Sequence, residues 1–473
     1  MSLLRHIEGT STRASGTYPG AFLRLFAAVV LICSCQVLAS CTALSGFGRD
    51  EAALSGGASH PSAGAGSSGD SVAGDYVPTE RGDGPLMRVG LAEDRTEVRV
   101  SCAGLCSVVL YGETTVRMTA EDAEWVFRVE GRGFHVSGPE VNTVIGGTAR
   151  IAPLSDAPVA IDSVAYRGEM EIFLSRGGGL SAVNIVGLES YLRGVVPREI
   201  GPRELADLEA VKAQAVAART YALARGGGRS AGDYDLHATV ADQAYGGVAV
   251  EDPTADRAIF ETAGSVLYYG DTPINAYFSS CCGGWTSARE DVWELPAEPY
   301  LVSQSDVPGG GRNLDGAYCS ASPHFTWEVD WSGSEILALV RTRLRETASA
   351  PVLEPPSAVR DIRIAETSGR GRVEWLEVVT PEGTWSVFAD RVRWLLRRPG
   401  SDSILRSAWF ELDVEKQGGE VTRVTATGRG YGHGVGMCQN GALGMARRGF
   451  SYRRILEHYY PGTRLDSPAG YWE

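Results

Sequence analysis

Glu199 stands in Val195-Val-Pro-Arg-Glu-Ile-Gly-Pro202, with Pro197 before it and Gly201 and Pro202 after it. Restricted backbone on both sides fixes where its carboxylate points. A carboxyl held in place can donate a proton and take one back. Glu199 is expected just ahead of a helix, where the dipole lowers a carboxyl pKa; proton donation there needs burial in a cleft to raise it again. The second chemical feature is Gly428–Gly441, GRGYGHGVGMCQNG, in which six of fourteen residues are glycine. Tyr431, His433, Met437 and Gln439 are not linker residues. Glycine at alternate positions lets the backbone approach closely and take positive φ. From this motif alone His433 reads as a base; beside Glu199 it reads as a supporting residue.

Smaller features surround these two. Lys212 and Arg219 share one face of the helix expected after Glu199, with Gln214 on the other side. Asp242-Gln243-Ala-Tyr245-Gly246 offers polar and aromatic groups in a loop, with His237 nearby. Asp242 is the nearest candidate for a second carboxylate. The stretch Phe278-Ser-Ser-Cys-Cys-Gly-Gly-Trp-Thr286, followed by Trp293, supplies aromatics that serve either as stacking surfaces or as core. Cys281, Cys282, Cys319 and His237 match no compact zinc spacing. No metal and no cofactor is expected; a disulfide from Cys281 or Cys282 to Cys319 is, and Cys102 and Cys106 stand close enough to staple a turn.

Holding these residues in place takes a folded framework. The chain has 473 residues, 43% hydrophobic and 22% charged, enough for a large core. A net charge of -14 excludes a nucleic-acid partner, since no extended basic surface can track phosphates. Arg5, Arg13 and Arg24 precede the apolar run Leu25–Ile32, which leads to Leu38-Ala-Ser-Cys41. That is a signal segment, 1–41, ending in a pattern that resembles the bacterial lipobox, with Cys41 the residue that takes lipid. Thr42 gives no Asp-type signal for inner-membrane retention, which points to an outer membrane where there is one. The chain is therefore expected in the cell envelope, lipid-anchored and facing away from the cytoplasm. Residues 42–85 are Gly-, Ser- and Ala-rich and read as a tether. Short alternating strands are expected over 86–185. Helices are expected over 202–225, where apolar residues recur at 3.6-residue spacing, then near 334–346, over 441–448, and for a turn or two over 452–459. The fold class is α+β, strand-dominated with a few helices.

The motif blocks resemble the SpoIID/LytB family, named for stage II sporulation protein D and an amidase enhancer. The resemblance rests on VNIVGLESYLRGVVPREI leading into LEAVKAQAVAARTYAL, on DQAYGGV, AYFSSCCGGWTSARE and VWELPAEPYL, on YCSASPHFTW and SILRSAWFEL, and on GRGYGHGVGMCQNGALGMARRGFSYRRILEHYYPGT. The resemblance covers roughly Met87 to Thr463, with the quoted blocks running from Val183 to Thr463. The resemblance implies a SpoIID-like fold of two subdomains around a glycan cleft, with a β-rich part over 86–185 and a catalytic part over 186–473. It implies a peptidoglycan lytic transglycosylase that cleaves MurNAc–GlcNAc bonds of denuded glycan strands to 1,6-anhydroMurNAc ends. Glu199 is then the catalytic acid/base. Substrate contacts are expected from Arg219, Lys212, Gln243, Tyr245, Tyr431, His433 and Gln439, with the glycines leaving clearance for the sugar chain. Within the same resemblance, the alternative is a non-catalytic glycan-binding enhancer of a cell-wall amidase, which makes an amidase a partner. Two departures stand out: Cys438 occupies a position where the family commonly has serine. Some members also carry a cysteine-containing, zinc-binding segment before their QxYxG motif, whereas LHATVADQAYGG has His237 but no cysteine.

Overall fold

The strand Leu180–Gly187 is buried along its whole length. It is covered on both faces and runs without a loop into the first helix, α1 (Leu188–Ile200). The computed structural model describes residues 82–112, 115–226, 234–311 and 313–471. The signal segment, Cys41 and most of the 42–85 tether lie outside the described residues. The tether's last residues are fixed: Asp83 and Pro85 accept the free N–H groups that open α1, with Asp83 Oδ1 taking Ser190 N at 2.8 Å.

Secondary structure is 23% helix and 37% strand, the strand-dominated α+β composition the sequence implies. Two sheets built mostly from 86–187 enclose one core. The first has seven strands, in the order Leu236–His237, Leu86–Arg95, Leu180–Gly187, Glu169–Leu174, Thr148–Pro153, Leu105–Tyr111, Val116–Glu121. The second has six, from Val164–Tyr166 through Glu97–Cys102 to Val141–Ile145. Alternate residues from both, such as Val108, Leu110 and Ile151 against Val100, Trp125 and Phe127, fill one cluster. The Cys102–Cys106 disulfide closes the turn between two of the strands. The expected boundary at 185/186 falls inside the strand Leu180–Gly187.

The same core continues through the helices α2 (Leu208–Arg225), α3 (Pro253–Glu261), α6 (Gln439–Ala446) and α7 (Tyr452–Tyr459). Between them in the chain, α4 (Gly333–Thr347), the short α5 (Arg391–Leu395) and two three-stranded sheets build a second core around Trp331, Val340, Leu376 and Val424. Ser332 caps α4 with a reciprocal bond to Glu335.

Two sequence expectations change here. The helix after Glu199 starts at Leu208, and Pro202 lies outside it. Gly201, at φ 78°, closes α1, and Glu204 is extended, so the chain links two helices where one was expected. Helix α1 itself was hidden because its sequence holds Gly194, Pro197 and two adjacent valines, all weak helix formers. Burial against α2 overrides that preference. Gly194 admits the Tyr245 ring, whose carbons would stand 2.5 Å from an added Cβ.

Helix α2 is not one-faced. Twelve of its eighteen residues are buried, half of them alanine, so α1, α3, α6 and α7 can all pack closely around it. Arg219 is fully buried inside this bundle. Its guanidinium grips Glu189 of α1 with two bonds, 2.9 and 2.7 Å, and reaches the Ile259 and Ser265 carbonyls. Tyr471 and Gly264 N also donate to Glu189. A buried pair of this kind adds little net stability over an apolar core, yet is costly to break, because removing one partner strands the other charge. Arg219→Ala is expected to lower stability by about 3–5 kcal/mol in denaturant unfolding at neutral pH. A loss below about 1 kcal/mol would show that the pair does not hold α1 to α2.

Candidate functional site

Glu199 lies in the last turn of α1, not ahead of a helix N-terminus. The dipole argument therefore reverses: at the C-terminal end the partial charge is negative and disfavours an anionic carboxylate. The carboxyl is part-buried, and its pKa is raised above the ordinary value, with burial the main cause. Two donors oppose that shift without overcoming it. Ala244 N donates to Glu199 Oε1 at 2.6 Å, and the Gln439 side chain donates as well. The group is thus held in one place yet biased toward its protonated form.

Gln439 arrives there because of the glycine stretch. The chain leaves the second core along the strand Glu420–Arg429 and re-enters the first core at Val435 and Met437. Between them it runs beside 277–287: Cys281 pairs with Tyr431, Ser287 with Val435, Phe278 with Met437 and Ser279 with Cys438. Gly430, Gly432, Gly434 and Gly436 all have positive φ. An added Cβ on Gly436 would meet the Tyr277 carbonyl, and one on Gly434 the Arg372 guanidinium. The glycines therefore give clearance to the protein's own backbone rather than a bare wall for a ligand. This ladder ends at α6, whose first residue is Gln439. Gln439 Nε2 also donates to Gln214 Oε1 at 3.4 Å.

His433 is neutral. Desolvation holds its pKa well below the ordinary imidazole value, at about 4. Its Nδ1 accepts Val435 N at 3.0 Å, so Nε2 carries the proton and donates to the Phe278 carbonyl. The ring lies 5.0 Å from Trp293 and 6.3 Å from Tyr277, and Tyr277 packs on Tyr221. With both nitrogens occupied, His433 orders the glycine ladder and has no lone pair left to act as a base. Trp293 sits in this aromatic row, half-buried, while Trp285 is covered by the Arg370 guanidinium at 3.7 Å.

Several residues expected to face substrate are engaged elsewhere. Arg219 serves Glu189. Lys212 pairs with Glu209 and Glu261, at 2.7 and 2.6 Å. Gln243 is fully buried, accepting from Tyr191 and donating to the Ala218 carbonyl. Tyr245 is buried between Tyr166 and Tyr191, with its hydroxyl on Asn184. The physical reason is common to all four: each is enclosed by protein, where a polar group must find an internal partner. Asp242 accepts from Tyr221 and from His237 N and lies 3.6 Å from Arg225, so its oxygens are also in use. Tyr431 remains exposed and stacks on His324. Of the expected set, Gln439 is the one placed against Glu199. Two neighbours were missed. Ala244 contributes a backbone N–H, which no side chain advertises. Helical angle turns Gln214 away from Lys212, yet a lone amide among alanines is a visible sign of an internal role. The expected disulfide to Cys319 is absent: Cys281, Cys282, Cys319 and Cys438 are buried free thiols.

Helix α1, α2 and the strand before them fall within residues 176–269, which match the family described as Stage II sporulation protein, SpoIID. Over those residues the chain carries a SpoIID domain. Residues 287–436, which take in the second core and most of the glycine stretch, match a domain of unknown function (DUF8618). The chain is 30% identical over 303 residues to the amidase enhancer of Bacillus subtilis (strain 168), covering 58% of this chain and 40% of that protein. It is 28% identical over 386 residues to an uncharacterized protein of Brachyspira hyodysenteriae (strain ATCC 49526 / WA1), covering 80% of this chain and 92% of that protein. It is 28% identical over 208 residues to stage II sporulation protein D of B. subtilis, half of that protein's length.

The depressed His433 pKa ties stability to pH. The unfolded chain binds a proton near pH 6.5 and the folded chain only near pH 4, so this residue's contribution to stability is lost as pH falls between those values. In nitrogen-detected NMR the His433 ring is expected to stay in its Nε2-protonated neutral form down to about pH 4. Titration near the ordinary histidine value would show that the ring is open to solvent.

Proposed function

We propose that the protein is a lytic transglycosylase of the cell envelope, with Glu199 as its single acid/base. The observation that carries this reading is the Glu199 carboxyl, fixed by Ala244 N and Gln439 and biased toward protonation by burial. In the proposed reaction the Glu199 carboxyl protonates the glycosidic oxygen between MurNAc and GlcNAc as the C1–O bond breaks. The sugar's own 6-hydroxyl then closes on C1, and the Glu199 carboxylate takes the hydroxyl proton. The acid is regenerated and no water is consumed. One carboxyl suffices because the nucleophile is already part of the substrate. A hydrolase needs a second carboxyl for water or for covalent capture, and Asp242, the expected candidate, is bound to Tyr221 and His237 N. The substrate would be glycan strands without stem peptides, lying between the β-rich part and the glycine ladder. Tyr431 is the exposed aromatic on that ladder. The lipid on Cys41 would hold the protein to a membrane, with the segment up to about residue 82 as its tether.

A second reading is favoured by the similarity to the amidase enhancer. In it the protein binds glycan without cleaving it and stimulates a separate amidase. Products separate the two. With purified, peptide-free glycan, mass spectrometry is expected to find 1,6-anhydro ends, and Glu199→Gln to lower their formation by about 10²–10⁴-fold while leaving unfolding unchanged. His433→Ala is expected to cost less than Glu199→Gln. Undiminished product from Glu199→Gln would sink the acid/base assignment. Sacculus binding without new ends in the wild type would favour the enhancer.

A further inference from the structure

Three distant segments bring sulfur together beneath the glycine ladder. Cys282 lies in the Cys-Cys-Gly-Gly turn, Cys319 follows the loop begun at Asp306, and Cys438 caps α6. Their Sγ atoms and an Asp306 carboxylate oxygen lie within 4.8 Å of one another, and all four residues are buried. The Cys282 and Cys319 sulfurs are 3.7 Å apart. Two thiolates on one tetrahedral ion at a bond length of about 2.3 Å stand about 3.7 Å apart, the edge of that tetrahedron.

The surroundings are those of ligands. Cys438 Sγ accepts two backbone N–H groups, Cys282 N and Gly441 N, both at 3.2 Å. Such donors stabilise a thiolate and orient it. Asp306 is fully buried, and its hydrogen-bond donors are neutral: Cys319 N at 2.8 Å and the Tyr459 hydroxyl. Among the described residues no salt bridge reaches it. A buried carboxylate without a cation is costly, and each of its oxygens has a lone pair left for one. Gly441 keeps the space open, since an added Cβ there would meet Asp306 Oδ1.

We propose that Cys282, Cys319, Cys438 and Asp306 form a structural zinc site. Thiolate donors in a closed tetrahedron select zinc over magnesium or calcium, which take oxygen. On binding, the thiol protons leave to solvent and zinc replaces them. All four positions are filled by protein, so the ion's role is to tie the 281–282 turn, the 306–319 loop and the start of α6 into one unit. The site is separate from the reaction assigned to Glu199 and stands whether or not that reaction occurs. It also lies outside the LHATVADQAYGG segment, so it is not the zinc-binding segment that the family resemblance describes. Cys281 flanks Cys319 and Cys438 and is the rival fourth ligand.

The test uses the full chain purified without added thiols, with elemental analysis for metal and mass spectrometry for thiols. One zinc per chain is expected. Cobalt in its place should give the near-ultraviolet band of thiolate-to-cobalt charge transfer. Cys319→Ser and Asp306→Asn should each lower bound zinc at least about tenfold, and Cys281→Ser should retain it. Should the variants not fold, chelation of the wild type serves instead: Tm should fall and recover when zinc is restored. A metal-free wild type with a Cys282–Cys319 disulfide would overturn the site, as would a Tm unmoved by chelation. Zinc lost in Cys281→Ser but kept in Asp306→Asn would overturn the ligand set.

Discussion

The arrangement rests on one backbone contact: the glycine ladder lying edge to edge against residues 277–287. Side chains on Gly430 to Gly436 would strike the Cys281 carbonyl, Ser279, Arg372 and the Tyr277 carbonyl in turn. Because the two segments touch through backbone, the chain can leave the second core and re-enter the first within a few residues. The ladder thereby fixes the residues just beyond it. Cys438 reaches the other buried thiols, and Gln439 reaches Glu199 from the far end of the sequence. His433 contributes to this contact through both ring nitrogens, which explains a histidine amid glycines without assigning it a proton to move.

Helix α1 shows how environment assigns roles to identical side chains. Glu189 and Glu199 stand in its first and last turns. Burial raises both carboxyl pKa values, yet Arg219 overrides it at Glu189, which ends below the ordinary value. At Glu199 burial prevails over the Ala244 N–H, the Arg198 charge and the Gln439 amide, so its pKa ends above the ordinary value. One glutamate is therefore a fixed anion that anchors the helix bundle; the other is available to hold a proton. The anchoring matters to the site, because α1 carries Glu199 on its last turn and hangs directly from the buried strand Leu180–Gly187.

The second core has its own tryptophans, two sheets and a capped helix, and the segment matching a domain of unknown function covers it. The chain enters it from the first core at Phe325–Trp327 and leaves it along the strand Glu420–Arg429, which leads straight into the ladder.

Local patterns in the sequence determined a good deal. Alternation gave the strands of the β-rich part, the 3.6-residue spacing gave α2, and motif order gave the SpoIID resemblance. These are properties of neighbouring residues, and neighbours are what a sequence records. The tertiary structure decided the rest. It made α1 a helix in spite of Gly194 and Pro197, because burial outweighs propensity. It turned Arg219 and Lys212 of α2, and Gln243 and Tyr245 of the loop before α3, toward internal partners, because a polar group enclosed by protein must be satisfied by protein. It placed Glu199 at the negative end of a helix and brought ligand atoms of Cys282, Cys319, Cys438 and Asp306 within 4.8 Å of one another. Electrostatic environment and the convergence of distant side chains depend on three-dimensional distance, which residue order alone does not contain.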